Sequence, residues 1–512
     1  MVLIARVQHL LLSLYVIAGL ALGHPAFAQA APLDGLDAYI EKARNDWQVP
    51  GLAVVVVKDD GIVYAKGFGV REIGNPDRVD PDTVFAIGSA TKAFTGAALA
   101  MLVDEKRIEW DGAVHRYMPS FELHDPFATR HATVRDLLSH RTGFVSGSGW
   151  LWTGSGFDRN EIIRRLRFQD DSLEFRNQFR YANEIYTAAG EIVPAVTGSS
   201  WDDFMAARFF RPLGMTRTNT SVTSLRGVKN LATPHGVVDG KLASFAYRQV
   251  DNVGGAGAIN SSARDLAQLV RLQLNDGVYE GKRLIAADTL AETRAGQMIP
   301  RGGLGASTPG AKFGEYGFGW IVNEYRGRKV VQHGGAVDGM LGLVAMIPEE
   351  RLGVVVLTNR LPHQLPRALG DKVFDAFLGG GTVDWSATMK AEADKAEADQ
   401  AARKISQAAM PAVPAPLPLD NYVGTYSSDL YGQATVALEN GALVFNRPTA
   451  AAVLAHERNG QFRARWRSPS ILSVYGETPI GFGIGPAGQV SYLELGTDRF
   501  EREHEVAGPA HR

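Results

Sequence analysis

The run Gly353-Val354-Val355-Val356-Leu357-Thr358-Asn359 is nearly free of polar side chains, so the strand it predicts must be covered on both faces. A second such run, Leu52-Ala53-Val54-Val55-Val56-Val57, stands near the other end of the same segment, followed by a tight turn at Asp60-Gly61 and a return strand Ile62 to Ala65. Tyr316 to Val322, Val330 to His333 and Leu341 to Ile347 add further strand-like runs. A helical stripe, Leu33, Leu36, Ile40, Ala43 and Trp47, precedes the first strand, and a helix over Leu365 to Leu378 follows the last. Between them Asp111 to Pro212 reads as helix and loop. The pattern predicts an α+β fold, with an antiparallel sheet drawn from both ends of the segment and a helical subdomain inserted between.

Gly379-Gly380-Gly381 breaks this pattern, Ala391 to Lys404 suits an exposed helix, and Pro411, Pro414, Pro416 and Pro418 make a stiff spacer. From Asp420 to about Glu503 short alternating strands recur, among them Thr435 to Leu438, Leu443 to Phe445, Phe462 to Trp466 and Tyr492 to Leu495. That spacing suits a small antiparallel β-barrel or sandwich. The expected divisions are 1–30 as a signal peptide, 31–380, a linker over 381–419, and 420–512. The barrel could hold an apolar ligand of its own, but an accessory module packed on the first domain is the preferred reading.

The chain opens on Arg6, an apolar run from Leu10 to Leu22, and two small-x-small patterns that predict cleavage after Ala28 or Ala30. The expectation is a periplasmic or secreted protein with no membrane anchor once the signal is removed. The chain has no cysteine. In an oxidising compartment that rules out disulfides, a thiol nucleophile and thiolate metal sites, and a hydroxyl becomes the natural nucleophile. A formal charge of -2, becoming -3 once Arg6 is cleaved off, with no clustered basic segment, argues against a nucleic-acid partner.

Ser89 and Lys92 form the chain's one S-x-x-K pair, placed where Phe94, Ala97, Ala98, Met101 and Leu102 begin a helical stripe. Serine at such a position is commonly a cap, and lysine one turn later usually points to water. The chemical alternative is a hydroxyl at a positive helix end with an amine within reach. Tyr181-Ala182-Asn183 at a loop-to-helix change and His333-Gly334-Gly335 in an edge-like strand are weak features singly. A Gly, Ser and Trp stretch from Gly143 to Phe157, carrying Trp150 and Trp152, reads equally as a cleft wall or as cover for the core.

Together Ser89-Ala90-Thr91-Lys92, Tyr181-Ala182-Asn183 and His333-Gly334-Gly335 resemble the three active-site motifs of the serine β-lactamase and penicillin-binding superfamily, in its class C-like and esterase branch. Leu137 to Gly143, Arg211 to Met215, Gly254 to Gly257 and Arg264-Asp265-Leu266 look like its framework segments. The start of the last domain, Tyr422 to Tyr426, is similar to the lipocalin-like barrel that follows this catalytic domain in some exported relatives. The resemblance implies a β-lactamase-like domain and a serine hydrolase without cofactor or metal. It implies Ser89 as nucleophile, with Lys92 and Tyr181 sharing the proton. Asn183 would orient Lys92 and bind a substrate amide. The strand His333, Gly334, Gly335 and Ala336 would border the cleft, with the backbone N–H groups of Ser89 and Ala336 receiving the oxyanion.

Many relatives carry Lys-Thr-Gly where this chain has His333-Gly334-Gly335, which weakens a fixed cation for a substrate carboxylate. Pro194 is expected to interrupt the helix after Asn183. The leading expectation is an exported hydrolase of amide bonds in small peptides, with linear and D-residue-containing ones included. An esterase or a β-lactamase of the same fold, or a catalytically silent module that holds cell-wall peptides, are the alternatives.

Overall fold

The computed structural model describes residues 32–503 apart from 146–148, 150, 170–174, 301–312, 362, 409–412, 459 and 497. The signal-peptide reading over residues 1–30, Trp150 and Pro411 therefore lie outside the described residues. No helix among those described is long and apolar enough to cross a membrane.

Helix α1 (Leu36–Asp46) leads into β1 (Gly51–Lys58) and β2 (Gly61–Gly69). Next come α2 (Thr91–Asp104), α3 (Asn183–Thr197) and α4 (Ala263–Leu274), with shorter helices between them. The sheet resumes with β3 (Gly314–Tyr316), β4 (Ile321–Tyr325), β5 (Arg328–Val337), β6 (Met340–Ile347) and β7 (Leu352–Thr358), and then come α5 (Leu365–Leu378) and α6 (Trp385–Ala408). All seven strands form one antiparallel sheet in the order β2-β1-β7-β6-β5-β4-β3.

The two apolar runs meet in its middle, with Val54 opposite Val356 and Val56 opposite Val354. Strand alternation sends Leu52, Val54 and Val56 to the face covered by α1 and α5, and Ala53, Val55 and Val57 to the face covered by α4 and the helical lobe. Each buried valine there contributes on the order of 1.5–3 kcal/mol, which is why these strands tolerate no polar positions.

Three expectations shift in detail. Tyr316 to Val322 is not one strand: Gly317 to Trp320 turn between β3 and β4, because a side chain on Gly319 (φ +84°) would lie 2.4 Å from the Lys92 carbonyl oxygen. The turn is thus pressed onto the start of α2. Helix α3 runs through Pro194 to Thr197, since the proline falls in its last turn and Gly198 closes the helix in a left-handed conformation. Helix α6 is longer than expected, and its first turn belongs to the packed region, where Ser386 accepts from the Trp47 indole and Met389 is buried.

The C-terminal strands are β8 (Gly424–Ser428), β9 (Gly432–Glu439), β10 (Ala442–Arg447), β11 (Ala450–Arg458), β12 (Gln461–Trp466), β13 (Thr478–Ile484), β14 (Val490–Leu495) and β15 (Asp498–Arg502), with helix α7 (Pro469–Tyr475) between β12 and β13. They close into a barrel in sequence order, eight strands in all. Its interior is occupied by rings: Tyr422 lies 5.1 Å from Phe462 and 5.0 Å from Phe482, and Phe462 lies 5.3 Å from Phe482. An eight-stranded barrel has room for little more than such side chains.

The barrel is docked on the first domain. Phe157 packs on Gly432, the Arg165 guanidinium sits 4.2 Å from the Phe157 ring centroid, and Thr449 donates to the Gly154 carbonyl at 3.2 Å. Arg465 pairs with Asp239.

Candidate active site

Ser89 lies in a 3₁₀ turn, Gly88–Ala90, that feeds directly into α2, one turn earlier than a position within the α-helix itself. Helix α2 is buried on all sides from Thr91 to Leu102, where the spacing suggested a single stripe. Its apolar surroundings therefore enclose Lys92 completely, at 0% exposure.

The Lys92 amine makes three short contacts. It donates to Asn183 Oδ1 at 2.7 Å and to the Ala256 carbonyl at 2.8 Å, and it stands 3.2 Å from Ser89 Oγ. Desolvation holds it well below the ordinary lysine value, with a smaller opposing pull from the Glu184 charge. Tyr181 lies beside it, its ring centroid 4.7 Å from Lys92 Nζ and its hydroxyl hydrogen-bonded to Ser89. Burial pushes the Tyr181 phenol up, the Ser89 hydrogen bond opposing it. The two shifts run in opposite directions, so burial favours the proton on the phenol and disfavours the charged form of the amine.

Strand β5 reaches the site through its glycines. Strand β4 pairs with β5 only as far as Gln332, whereas β6 continues to Val337, so beyond Gln332 one edge of β5 has no strand beside it among the described residues. A side chain on Gly335 would fall 1.7 Å from the Ile87 carbonyl oxygen, and one on Gly88 would fall 2.7 Å from the Ala336 nitrogen. The absent side chain at Gly335 therefore serves close packing against the Ser89 turn. Gly334 meets nothing nearer than 3.5 Å, and Ala336 is exposed.

His333 points away from solvent, at 3% exposure. Its Nδ1 lies 2.5 Å from the Gly334 carbonyl, which only accepts, so Nδ1 carries the proton and Nε2 accepts from the Tyr316 hydroxyl at 3.1 Å. Desolvation and the nearby Lys92 push its pKa down to about 3. A neutral imidazole is thus built in.

Several members of the site carried no distinctive spacing. His140 stacks 4.4 Å from the Tyr181 ring and accepts the Ala182 N–H at 3.2 Å, fixing the backbone between Tyr181 and Asn183. Tyr186 and Tyr316 complete the aromatic wall. Of these, His140 and Ala256 fell within framework segments, and that was the one sign of them in the sequence. Trp152, from the Gly143 to Phe157 loop, is half-buried beneath the Arg248 guanidinium, 5.3 Å from it. No group of acidic, histidine or cysteine side chains among the described residues is placed to hold a metal ion.

Residues 36–376 match the family model described as Beta-lactamase. The chain belongs to the β-lactamase family. It is a serine hydrolase of that fold. Residues 408–507 match a Domain of unknown function (DUF3471). Among curated relatives of this family, the unguisins hydrolase ungD' of Aspergillus campestris is 30% identical over 79% of this chain and 78% of its own length. The unguisins hydrolase ungD of Aspergillus violaceofuscus is 27% identical over 91% and 88%. The octameric penicillin-binding protein homologue from Pyrococcus abyssi is 21% identical and superposes with a TM-score of 0.60 over 91% of this chain and 98% of that one, which places the barrel and the β-lactamase domain in one shared fold.

Proposed function

We propose that this β-lactamase-family enzyme is exported and cleaves amide bonds in small peptides, linear and D-residue-containing ones included, through an acyl-enzyme on Ser89. The observation that carries this reading is the contact of Ser89 Oγ with the desolvated Lys92 amine, 3.2 Å away, and with the Tyr181 hydroxyl on the same oxygen.

Ser89 Oγ attacks the substrate carbonyl, and its proton passes to Lys92. The oxyanion is received by the N–H groups of Ser89 and Ala336. As the C–N bond breaks, the Tyr181 phenol gives its proton to the departing amine and is refilled from Lys92. Water then attacks the acyl carbonyl, surrendering a proton to Lys92 and releasing the acid, and Ser89 recovers its hydrogen. Asn183 keeps Lys92 aimed at Ser89 and offers its amide N–H to the peptide. The open edge of β5 from His333 to Ala336 is where the peptide backbone lies.

His333 supports the choice of substrate class. An imidazole held near a pKa of about 3 supplies no charge for a substrate carboxylate, which favours acyl groups without one over β-lactams. The names of the two fungal relatives support hydrolysis as the reaction. A carboxylesterase is the second reading, favoured by the same neutral His333. Export rests on residues 1–30 alone, and mass spectrometry of the mature protein should place its first residue after Ala28 or Ala30.

A panel of D- and L-peptides, a p-nitrophenyl ester, a chromogenic cephalosporin and an unguisin tests these readings together. Turnover of the peptides with kcat/KM above that for the ester and the cephalosporin is expected. Preference for the ester would install the second reading. No turnover, with no labelling of Ser89 by a serine-directed reagent, would remove both.

A further inference from the structure

Ala336 stands two residues from the tip of the hairpin joining β5 to β6, and that tip is held from outside the sheet. Asp338 and Gly339 form the two-residue loop, with φ of 25° and 79°. Positive φ at both positions is what a tight hairpin with right-handed twist needs. The Asp338 carboxylate is buried and accepts two hydrogen bonds from Arg248, from Nε at 2.6 Å and from Nη2 at 2.8 Å. A forked pair of this kind fixes orientation as well as position. Gly339 lies against His235, whose N–H donates to the Gly339 carbonyl at 3.2 Å.

Arg248 touches two further parts of the molecule. Its Nη1 donates to Thr153 Oγ1 at 2.9 Å in the Trp152 loop, and it hydrogen-bonds to the hydroxyl of Tyr475. Tyr475 is the last residue of α7, in the barrel. The same loop is tied to the barrel again by Arg447, which donates to the Thr153 carbonyl at 3.4 Å. One guanidinium thus joins the hairpin beside Ala336, the Trp152 loop, and the barrel helix.

We propose that Arg248 is a positioning residue through which the barrel, by Tyr475, holds the Asp338 hairpin and so fixes the oxyanion-side edge at Ala336. The proposal rests on the reading of the Ala336 N–H as an oxyanion donor. Such a donor works because it is in place before charge develops, and removing one outright costs about 10²–10³ in kcat. Loosening one costs less. Because the oxyanion exists only beyond the ground state, the loss falls on kcat and leaves KM nearly unchanged.

The test uses the full-length enzyme and the best substrate from the panel, with rates normalised to active sites titrated by a serine-directed reagent. Arg248→Gln is expected to lower kcat by about 10-fold to 100-fold with KM changed by less than about threefold. Arg248→Lys, which keeps the charge but loses the fork, should fall between it and the unmodified enzyme. Tyr475→Phe should lower kcat by about threefold and add little to Arg248→Gln, since both act through one contact. An unchanged kcat per site in Arg248→Gln and Tyr475→Phe, or a loss confined to KM, overturns the proposal. If Arg248→Gln fails to fold, Tyr475→Phe decides: a lower kcat at an unchanged unfolding temperature supports it, and an unchanged kcat sinks it. Ser89→Ala separates the two levels, because activity surviving that change withdraws the site reading itself, whereas an inert Ser89→Ala beside fully active Arg248 and Tyr475 variants withdraws only this inference.

Discussion

Two aromatic clusters in this protein use burial for opposite ends. Around Lys92, the rings of Tyr181, Tyr186 and Tyr316 pack about a basic amine and the imidazoles of His140 and His333. In the barrel, Tyr422, Tyr426, Phe462 and Phe482 pack edge to face on one another, with the His456 imidazole 5.0 Å from the Phe462 ring. The first cluster lowers the proton affinity of its basic groups, which disfavours their charged forms and costs stability when they protonate. The second encloses no amine among the described residues, and its ring packing contributes to stability. The comparison teaches that a site and a core can be built from the same residue types, and that the titratable group at the centre decides which of the two results.

The sharpest way to break the comparison is at the centre of the first cluster. Ser89→Ala should lower kcat by at least about 10³-fold with an unchanged unfolding temperature, and retained turnover would move the nucleophile elsewhere. Lys92→Met should slow acylation by about 10²–10⁴-fold, measured as the burst rate, without lowering the unfolding temperature, because a desolvated amine is removed. In the barrel the pattern inverts. Phe462→Ala should cost about 3–5 kcal/mol in denaturant unfolding while kcat per titrated site stays the same. A kcat that falls with it would tie the barrel core to chemistry directly.

Acid should distinguish the clusters more gently. The folded protein keeps His333 neutral down to about 3, while the unfolded chain takes up a proton near 6.5. The unfolded state thus binds more protons between those values, so stability falls as pH drops through that window and levels off near its lower end. His333→Asn should flatten this slope in unfolding midpoints measured against pH. For catalysis, Lys92 must be neutral to accept the Ser89 proton, so kcat/KM should rise with pH to a midpoint below the ordinary lysine value of 10.5. Tyr181, pushed the other way, should add no alkaline limb below that value. A rate falling from acidic to neutral pH would contradict this assignment of the proton.

Much of the architecture was legible in the chain because it is written in short-range periods. The apolar runs at Leu52 to Val57 and Gly353 to Leu357 predicted strands buried on both faces, and the structure pairs them at the centre of the sheet. The alternating segments after Asp420 suited an antiparallel barrel or sandwich, and the structure closes them into a barrel, although β8, β13, β15 and α7 were not marked out by the same alternation. The S-x-x-K pair and the order of the motifs drew Ser89, Lys92, Tyr181, Asn183 and the β5 glycines together as candidates, and the fold brings them within reach of one another.

What no local pattern carried is the environment of those groups. Complete burial of Lys92, its bond to the Ala256 carbonyl and the neutral tautomer of His333 depend on helices and strands arriving from distant parts of the chain. The junction of Arg248 with Asp338, Thr153 and Tyr475 spans both domains and follows no spacing at all. Residue type and periodicity are properties of a short stretch, so the sequence by itself determined the elements and the candidate chemistry. Desolvation and ion pairing depend on what packs against a group from all sides, so only the tertiary structure decided which of them is charged, which holds the proton, and which edge of the cleft the barrel supports.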